Sequence, residues 1–325
     1  MCIRDSCKAY GGPENLVYED FPSRALGATE VRLQVKAAAV NFPDTLVIQG
    51  KYQFRPEPPF VPGAEVAGVV TEVGAKVQHV RPGDAAVSVS VAGGFAEETV
   101  VDGGTVVPMP ADTDYSLAAA FPMAYGTSLH ALKQRGQLKA GETLLVLGAA
   151  GGVGLAAVQL GKAMGAKVIA AASSDEKLAI CKDNGADELI NYSDCDLKGK
   201  VKALTGGKGA DVIYDPVGGA MFDQVMSSVA WNGRVLVIGF AAGDIPQIPA
   251  NKILLKGCAV VGVFWGAFVA REPRVNAENF EQLFAWMGEG KIQPQVSRSY
   301  PMADAGQALQ DMLDRKVTGK VVLLP

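Results

Sequence analysis

The residues best equipped for chemistry lie between Thr143 and Ser174. Within that stretch the turn Ala149-Ala150-Gly151-Gly152-Val153-Gly154 departs by one residue, Ala149, from the glycine fingerprint that cradles a dinucleotide. Glycine lets the backbone approach a pyrophosphate closely and lets the next helix pack tightly on the strand before it. The free N–H groups at the helix start then favour an anion. The flanks give this turn its meaning. Leu144–Leu147 is a short apolar run of the kind buried on both faces of a parallel sheet. Val153, Ala156, Ala157, Leu160 and Met164 recur at helical spacing, Gly165 supplies a stop, and Lys167–Ala171 reads as a second strand. Such a βαβ unit is expected to hold a dinucleotide at Gly151, Gly152 and Val153.

The end of the second strand distinguishes between dinucleotides. An NAD-binding unit usually places Asp or Glu there, about 20 residues past the glycines, and a carboxylate repels a 2′-phosphate. This chain has Ala171, Ala172, Ser173 and Ser174 instead, with Lys177 one helical turn further on. Two hydroxyls and an ammonium suit the phosphate, so NADPH is the expected cofactor. The same residues also have a structural use. Ser173 or Ser174 can cap the helix that begins near Asp175, and the two uses are compatible. In an open parallel sheet, ligands sit outside the carboxyl ends of the strands. The residues expected there also include Tyr192, Pro216-Val217-Gly218 and Gly239-Phe240, mostly small enough to leave room for a cofactor.

Metal chemistry has little to draw on. The chain holds two histidines, His79 and His130, and five scattered cysteines, Cys2, Cys7, Cys181, Cys195 and Cys258, with no CxxC pair and no HExxH helix. No metal site is expected, and no disulfide framework. With 30 basic and 34 acidic residues and no block of either sign, nucleic acid and anionic membrane are not expected partners. The most apolar windows, Leu144–Val158 and Gly257–Ala270, are glycine-broken and shorter than the ~20 residues of a membrane span. No secretory pattern is visible, so the cytoplasm is the expected compartment. Met1–Ser6 is charged and non-periodic where a first strand should stand, which suggests foreign residues or a frayed end.

Positioning these groups takes about two domains in 325 residues. Val17–Phe21, Glu30–Val40, Ala64–Val73, Ala85–Val89 and Phe95–Val101 are short runs between Gly and Pro turns, the pattern of a small β-barrel. Tyr115–Ala131 is expected to be one helix leading to the nucleotide domain. There, strands at Glu188–Asn191, Asp211–Asp215, Arg234–Phe240 and Cys258–Val263 complete six in a doubly wound α/β sheet. Two helices, Asn276–Glu289 and Ala303–Asp314, and a last strand, Gly319–Leu324, are expected to return to the β-domain. The expected division is 1–124 and 266–325 for the β-domain and 125–265 for the Rossmann domain.

This order, with Asn41-Phe42-Pro43-Asp44, Gly50-Lys51-Tyr52, Pro62-Gly63-Ala64-Glu65-Val66-Ala67-Gly68, Tyr125-Gly126-Thr127 and Ala149–Gly154, resembles the zinc-independent quinone oxidoreductase (zeta-crystallin-like) branch of the medium-chain dehydrogenase/reductase superfamily. In zinc-dependent relatives Gly63-Ala64-Glu65 looks like Gly-His-Glu and a cysteine stands near Asn41, so the chain departs at both ligand positions. The resemblance implies a GroES-like catalytic domain beside the Rossmann domain, and NADPH-dependent hydride transfer to quinones or α,β-unsaturated carbonyl compounds. It places Asn41 and Thr127 at the nicotinamide end, Gly152 and Val153 at the pyrophosphate, Ser173, Ser174 and Lys177 at the 2′-phosphate, and Tyr192 at the adenine. Val217, Gly239, Phe240, Val263 and Phe264 complete the cofactor set.

Protonation of the product is assigned to Tyr52 or to solvent; a phenol on the Pro-rich loop Lys51–Pro62 is also commonly just a packed ring with a wet hydroxyl. Asn41 either orients a carbonyl or carboxamide or makes a local turn before the Pro-started helix, and Asp44 is either a first-turn acid or part of the site. Two alternatives share the same motifs: an enoyl or acryloyl thioester reductase, which would need a basic groove that could draw on Arg55, Lys133 or Arg135, and an NADPH-binding crystallin-like protein with little turnover. The apolar edge strand Cys258–Val263 is expected to pair with a second copy as a homodimer.

Overall fold

The computed structural model describes residues 2–193 and 196–325. Met1 and Cys195 lie outside the described residues. The chain divides into two compact units, one running to Met123 and resuming over Pro294–Pro325, the other Ala124–Gln293.

The first unit opens with β1 (Cys2–Cys7) paired antiparallel to β2 (Leu16–Phe21). The first residues therefore form the expected strand, which corrects the reading of a frayed end. Asp5 in this strand is buried, and one of its carboxylate oxygens has no hydrogen-bond partner. Next come β3 (Glu30–Val40), β4 (Glu65–Val73), β5 (Ala85–Val89), β6 (Glu98–Asp102) and β7 (Val106–Pro108). At eleven residues, β3 is long enough to serve several partners. It pairs antiparallel with β4 along most of its length and with β6 over Glu30–Gln34.

The helix expected over Tyr115–Ala131 is broken into Tyr115–Ala119 and Pro122–Leu129, followed by a wider turn over His130–Arg135. Pro122 is the reason, because it cannot donate the N–H that would continue the first helix yet suits the start of a second. The second unit is built on β8 (Thr143–Leu147), β9 (Lys167–Ala172), β10 (Glu188–Asn191), β11 (Ala210–Asp215), β12 (Val229–Val237) and β13 (Ala259–Gly262). All pairings are parallel, in the order β10-β9-β8-β11-β12-β13. Leu144, Leu145 and Leu147 are wholly buried, each contributing about 2 kcal/mol relative to exposure.

The chain leaves this unit at Pro294 rather than at residue 266. The helices Trp265–Arg271 and Pro273–Gly288 stay behind because their polar and aromatic groups are matched there. The His130 ring stacks on Phe268 at 3.9 Å, and the amides of Gln134 and buried Asn279 exchange two hydrogen bonds of 2.9 and 3.2 Å. On return, β14 (Val296–Pro301) pairs parallel with β15 (Lys320–Leu324), and β15 pairs antiparallel with Ala38–Val40 of β3. A core of Val31, Leu33, Val35, Val66, Leu309 and Val321 lies beneath this seven-strand sheet.

Close approach of β3 and β4 depends on Gly68. A Cβ there would stand 2.1 Å from the Gln34 carbonyl oxygen, and a strand backbone cannot retreat as a flexible side chain can. Gly68→Ala should therefore lower stability by about 2–3 kcal/mol, measured as a drop in the urea midpoint. An unchanged midpoint would show that the strands have room to part.

Candidate functional site

The carboxyl ends of the six parallel strands lie along one edge, and the order reverses between β8 and β11, the crevice where open sheets of this kind take ligands. At the end of β8, Gly148 adopts the left-handed turn with φ of +53°, and Ala149 follows it, buried, with its N–H on the Ala171 carbonyl. Gly148 thus makes the sharp turn, so the alanine in the fingerprint costs nothing. Gly151 is the N-cap of the helix Gly152–Ala163, and no side chain caps that end. Backbone N–H groups of the first turn, at Gly152, Val153 and Gly154, are therefore left to whatever occupies the crevice. A dinucleotide pyrophosphate fits this requirement.

The neighbouring helix Asp175–Asp183 is arranged differently. Ser174 Oγ accepts the Lys177 N–H at 3.4 Å and bonds the Glu176 carboxylate, which lowers the Glu176 pKa, so Ser174 is a working cap. Ser173 is exposed, with its Oγ 3.5 Å from Lys177 Nζ. A hydroxyl and a cation thus lie side by side at this strand end. Tyr192, half-buried, follows β10 and donates its N–H to Ala172. Val217 follows β11, Gly239 and Phe240 follow β12, and Val263 and Phe264 follow β13, so the strand-end residues read from the sequence share one edge. Phe264 is 54% exposed. Thr127 lies half-buried in the helix Pro122–Leu129.

Two supports of this edge had no role in the sequence reading. Buried Asp215, the last residue of β11, accepts the N–H groups of Val217 and Gly218 at 2.9 Å each, fixing the loop; burial raises its pKa. Ser128 Oγ donates to the Val153 carbonyl at 3.0 Å and meets the buried Tyr214 hydroxyl at 2.9 Å, holding the first helical turn from behind. A strand-end Asp before Pro-Val-Gly was a usable signal for the first. None existed for the second.

In the first unit, Asn41 and Glu65 come together with Lys320. The register explains it: Ala39 lies opposite Glu65, and Val40 opposite Val321, so Asn41 emerges between the starts of β4 and β15. Lys320 Nζ donates to Asn41 Oδ1 at 2.5 Å and to Glu65 Oε2 at 3.0 Å, and Asn41 Nδ2 donates to the same carboxylate oxygen at 3.0 Å. Asp44 Oδ2 accepts the Asn41 N–H at 2.7 Å, in the first turn of the helix Phe42–Ile48. Burial pushes the Asp44 carboxyl up to about 7, with the Glu65 charge adding to the rise and the Asn41 and Ala64 N–H groups and Lys320 opposing it. Tyr52 is half-buried; burial, then the Asp44 charge, raises its pKa, so the phenol keeps its proton at neutral pH. His79 is held by the Val106 carbonyl, while His130 packs on Phe268 and burial lowers its pKa. Among the described residues no three His, Cys, Asp or Glu side chains are grouped to hold a metal.

Comparisons with known proteins match both units. Residues 27–111 fit the alcohol dehydrogenase GroES-like domain, and residues 152–287 fit the family described as zinc-binding dehydrogenase. The chain is 43% identical to the quinone oxidoreductase-like protein 2 homolog of Nematostella vectensis over 98% of its own length and 87% of the relative's. Among solved structures, the quinone oxidoreductase of Pseudomonas syringae pv. Tomato DC3000 is 34% identical with a TM-score of 0.94, covering 100% of both chains. The Escherichia coli quinone oxidoreductase, solved in complex with NADPH, is 29% identical with a TM-score of 0.93, covering 99% of this chain and 100% of that one. The two-unit fold is that of the medium-chain dehydrogenase/reductase superfamily, and within it the chain belongs to the quinone oxidoreductase branch.

The raised pKa of Asp44 has a consequence for stability. Between its ordinary value of 3.8 and about 7, the folded protein keeps a proton that the unfolded chain has released, so this group weakens the fold as pH rises through that window. Asp44→Asn should remove that part of the slope, leaving the variant more stable relative to the wild type at pH 8 than at pH 4. Parallel unfolding curves at the two pH values would show that Asp44 titrates normally.

Proposed function

We propose that the chain is an NADPH-dependent oxidoreductase that reduces quinones or α,β-unsaturated carbonyl compounds without zinc. The observation that carries this reading is the uncapped helix start at Gly151–Gly154, placed at the strand-order reversal with Ser173 and Lys177 at the neighbouring strand end. The relative solved with NADPH supports the choice of nucleotide.

NADPH, when bound, supplies the hydride, and the protein's task is to bind, orient and exclude water. Gly151, Gly152 and Val153 receive the pyrophosphate, and Ser173, Ser174 and Lys177 the 2′-phosphate. Tyr192, Val217, Gly239, Phe240, Val263 and Phe264 line the remaining edge, while Asn41 and Thr127 serve the nicotinamide end. Tyr52, protonated at neutral pH, is the proposed proton donor to the reduced product, with solvent as the alternative.

Zinc independence is supported by the residues at the expected ligand positions. Ala64 stands where zinc relatives carry histidine, Asn41 has an amide in place of a thiol, and the space beside Glu65 holds the Lys320 ammonium. The alternative, an enoyl or acryloyl thioester reductase, shares these motifs; of the basic residues it could draw on, Arg55 is exposed, Lys133 donates to Gln282 at 2.7 Å and Arg135 to the Gly262 carbonyl at 3.0 Å. Buried free thiols at Cys7, Cys181 and Cys258 suit a reducing compartment such as the cytoplasm.

NADPH oxidation should be detected with a quinone or an enal, should exceed NADH oxidation, and should survive chelation. Lys177→Glu should cut the NADPH preference by about tenfold or more. An unmoved preference would remove the 2′-phosphate assignment, and NADPH binding with no turnover on either acceptor would favour the crystallin-like alternative.

A homodimer through 258–263 is also proposed. Among the described residues β13 pairs on one side only, and Trp231, Leu254 and Leu255 near it are exposed. Apolar surface beside an unpaired strand edge favours covering by a second copy. Sedimentation at micromolar concentration should give twice the chain mass; a monomer would end this proposal.

A further inference from the structure

Ser128 and Tyr214 carry their hydroxyls behind the glycine turn, and both residues are wholly buried. Together with Val153 they belong to the second unit. Ser128 comes from the helix Pro122–Leu129, and Tyr214 from β11, where it stands opposite Val146 of β8 beside the strand-order reversal. A carbonyl oxygen accepts and cannot donate, so the one hydroxyl proton of Ser128 goes to the Val153 carbonyl at 3.0 Å. The Ser128 oxygen is then the acceptor in its 2.9 Å contact with Tyr214, and the phenol is the donor. Burial raises the Tyr214 pKa, which keeps that proton in place at neutral pH. The result is a one-way chain from Tyr214 through Ser128 to Val153.

The Val153 carbonyl shares its peptide unit with the Gly154 N–H, one of the first-turn donors of the helix Gly152–Ala163, whose start no side chain caps. Hydrogen bonds in series polarise one another, so donation to the carbonyl strengthens the N–H on the other side of the same amide. An amide held at its oxygen also resists rotation. Packing alone would be served as well by an apolar pair of the same shape, which needs no hydroxyls. We propose that Tyr214 and Ser128 are positioning residues for the cofactor: their hydroxyl relay holds and polarises the Val153–Gly154 peptide as a donor to the dinucleotide pyrophosphate. This inference rests on the reading above that the glycine turn receives the pyrophosphate.

The test measures equilibrium binding of two fragments of NADPH. One is 2′-phospho-ADP-ribose, which keeps the pyrophosphate and lacks the nicotinamide; the other is adenosine 2′-phosphate, which lacks the pyrophosphate as well. Removing the serine hydroxyl alone would strand the buried phenol, so the informative variant is Ser128→Ala with Tyr214→Phe. It should bind 2′-phospho-ADP-ribose about tenfold more weakly than the wild type, the loss expected for a hydrogen bond to a charged group, and adenosine 2′-phosphate within about twofold of it. Tyr214→Phe alone keeps the Ser128 bond to Val153 and should give a loss of about threefold, again for the pyrophosphate ligand only, which serves if the double variant does not fold. Equal losses for the two ligands would reveal a packing role alone, and unchanged affinity for the first would show that the relay does not reach the anion. Either result overturns the proposal and leaves the assignment of the glycine turn standing. Failure of the wild type to bind 2′-phospho-ADP-ribose would remove that assignment as well.

Discussion

The second unit depends on how closely a helix can approach the strand that precedes it. A Cβ at Gly154 would lie 2.3 Å from the Gly148 carbonyl oxygen and 2.9 Å from the Ala149 Cα, both parts of a backbone that has no room to move. With a hydrogen in that place, the helix Gly152–Ala163 starts directly over the end of β8 with its first N–H groups at the strand-order reversal. Any larger residue would tilt the helix or pull the turn away from the edge, and its first N–H groups would leave the crevice. Asp215, Ser128 and Tyr214 refine this geometry from neighbouring elements.

The first unit solves a different problem, which is how to keep charge and amide groups fixed in a nearly dry interior. Asn41, Asp44, Glu65 and Lys320 are each buried, and each survives burial because the others supply its hydrogen bonds or opposing charge. The arrangement requires β15, arriving from the far end of the chain, to dock on the last residues of β3. The returning tail is therefore part of the candidate site as well as of the sheet.

Much of the architecture was legible in the sequence because it is written in local patterns. Alternation fixed Glu30–Val40 as a strand to the residue, and the glycine turn between apolar runs marked the nucleotide unit. What was missed follows from competing local effects or from distance. Pro122 interrupted an otherwise continuous helical pattern. The helices at Trp265–Arg271 and Pro273–Gly288 carry no mark of their attachment, which is made by Phe268 on His130 and Asn279 on Gln134. Charged residues at the start of the chain hid a strand, because its pairing with Leu16–Phe21 is made by the backbone.

From its sequence alone, then, the chain determined its class of fold, its nucleotide turn and the small-residue character of the strand ends, since each depends on neighbours within about 30 residues. Tertiary structure decided that Ser174 is a cap while Ser173 is exposed beside Lys177, and that Asn41 is bound at both ends of its amide. Lys320 lies 279 residues from Asn41, and no spacing rule reaches that far. Only the register of β15 on β3 and of β3 on β4 brings ammonium, carboxylate and amide within hydrogen-bonding distance.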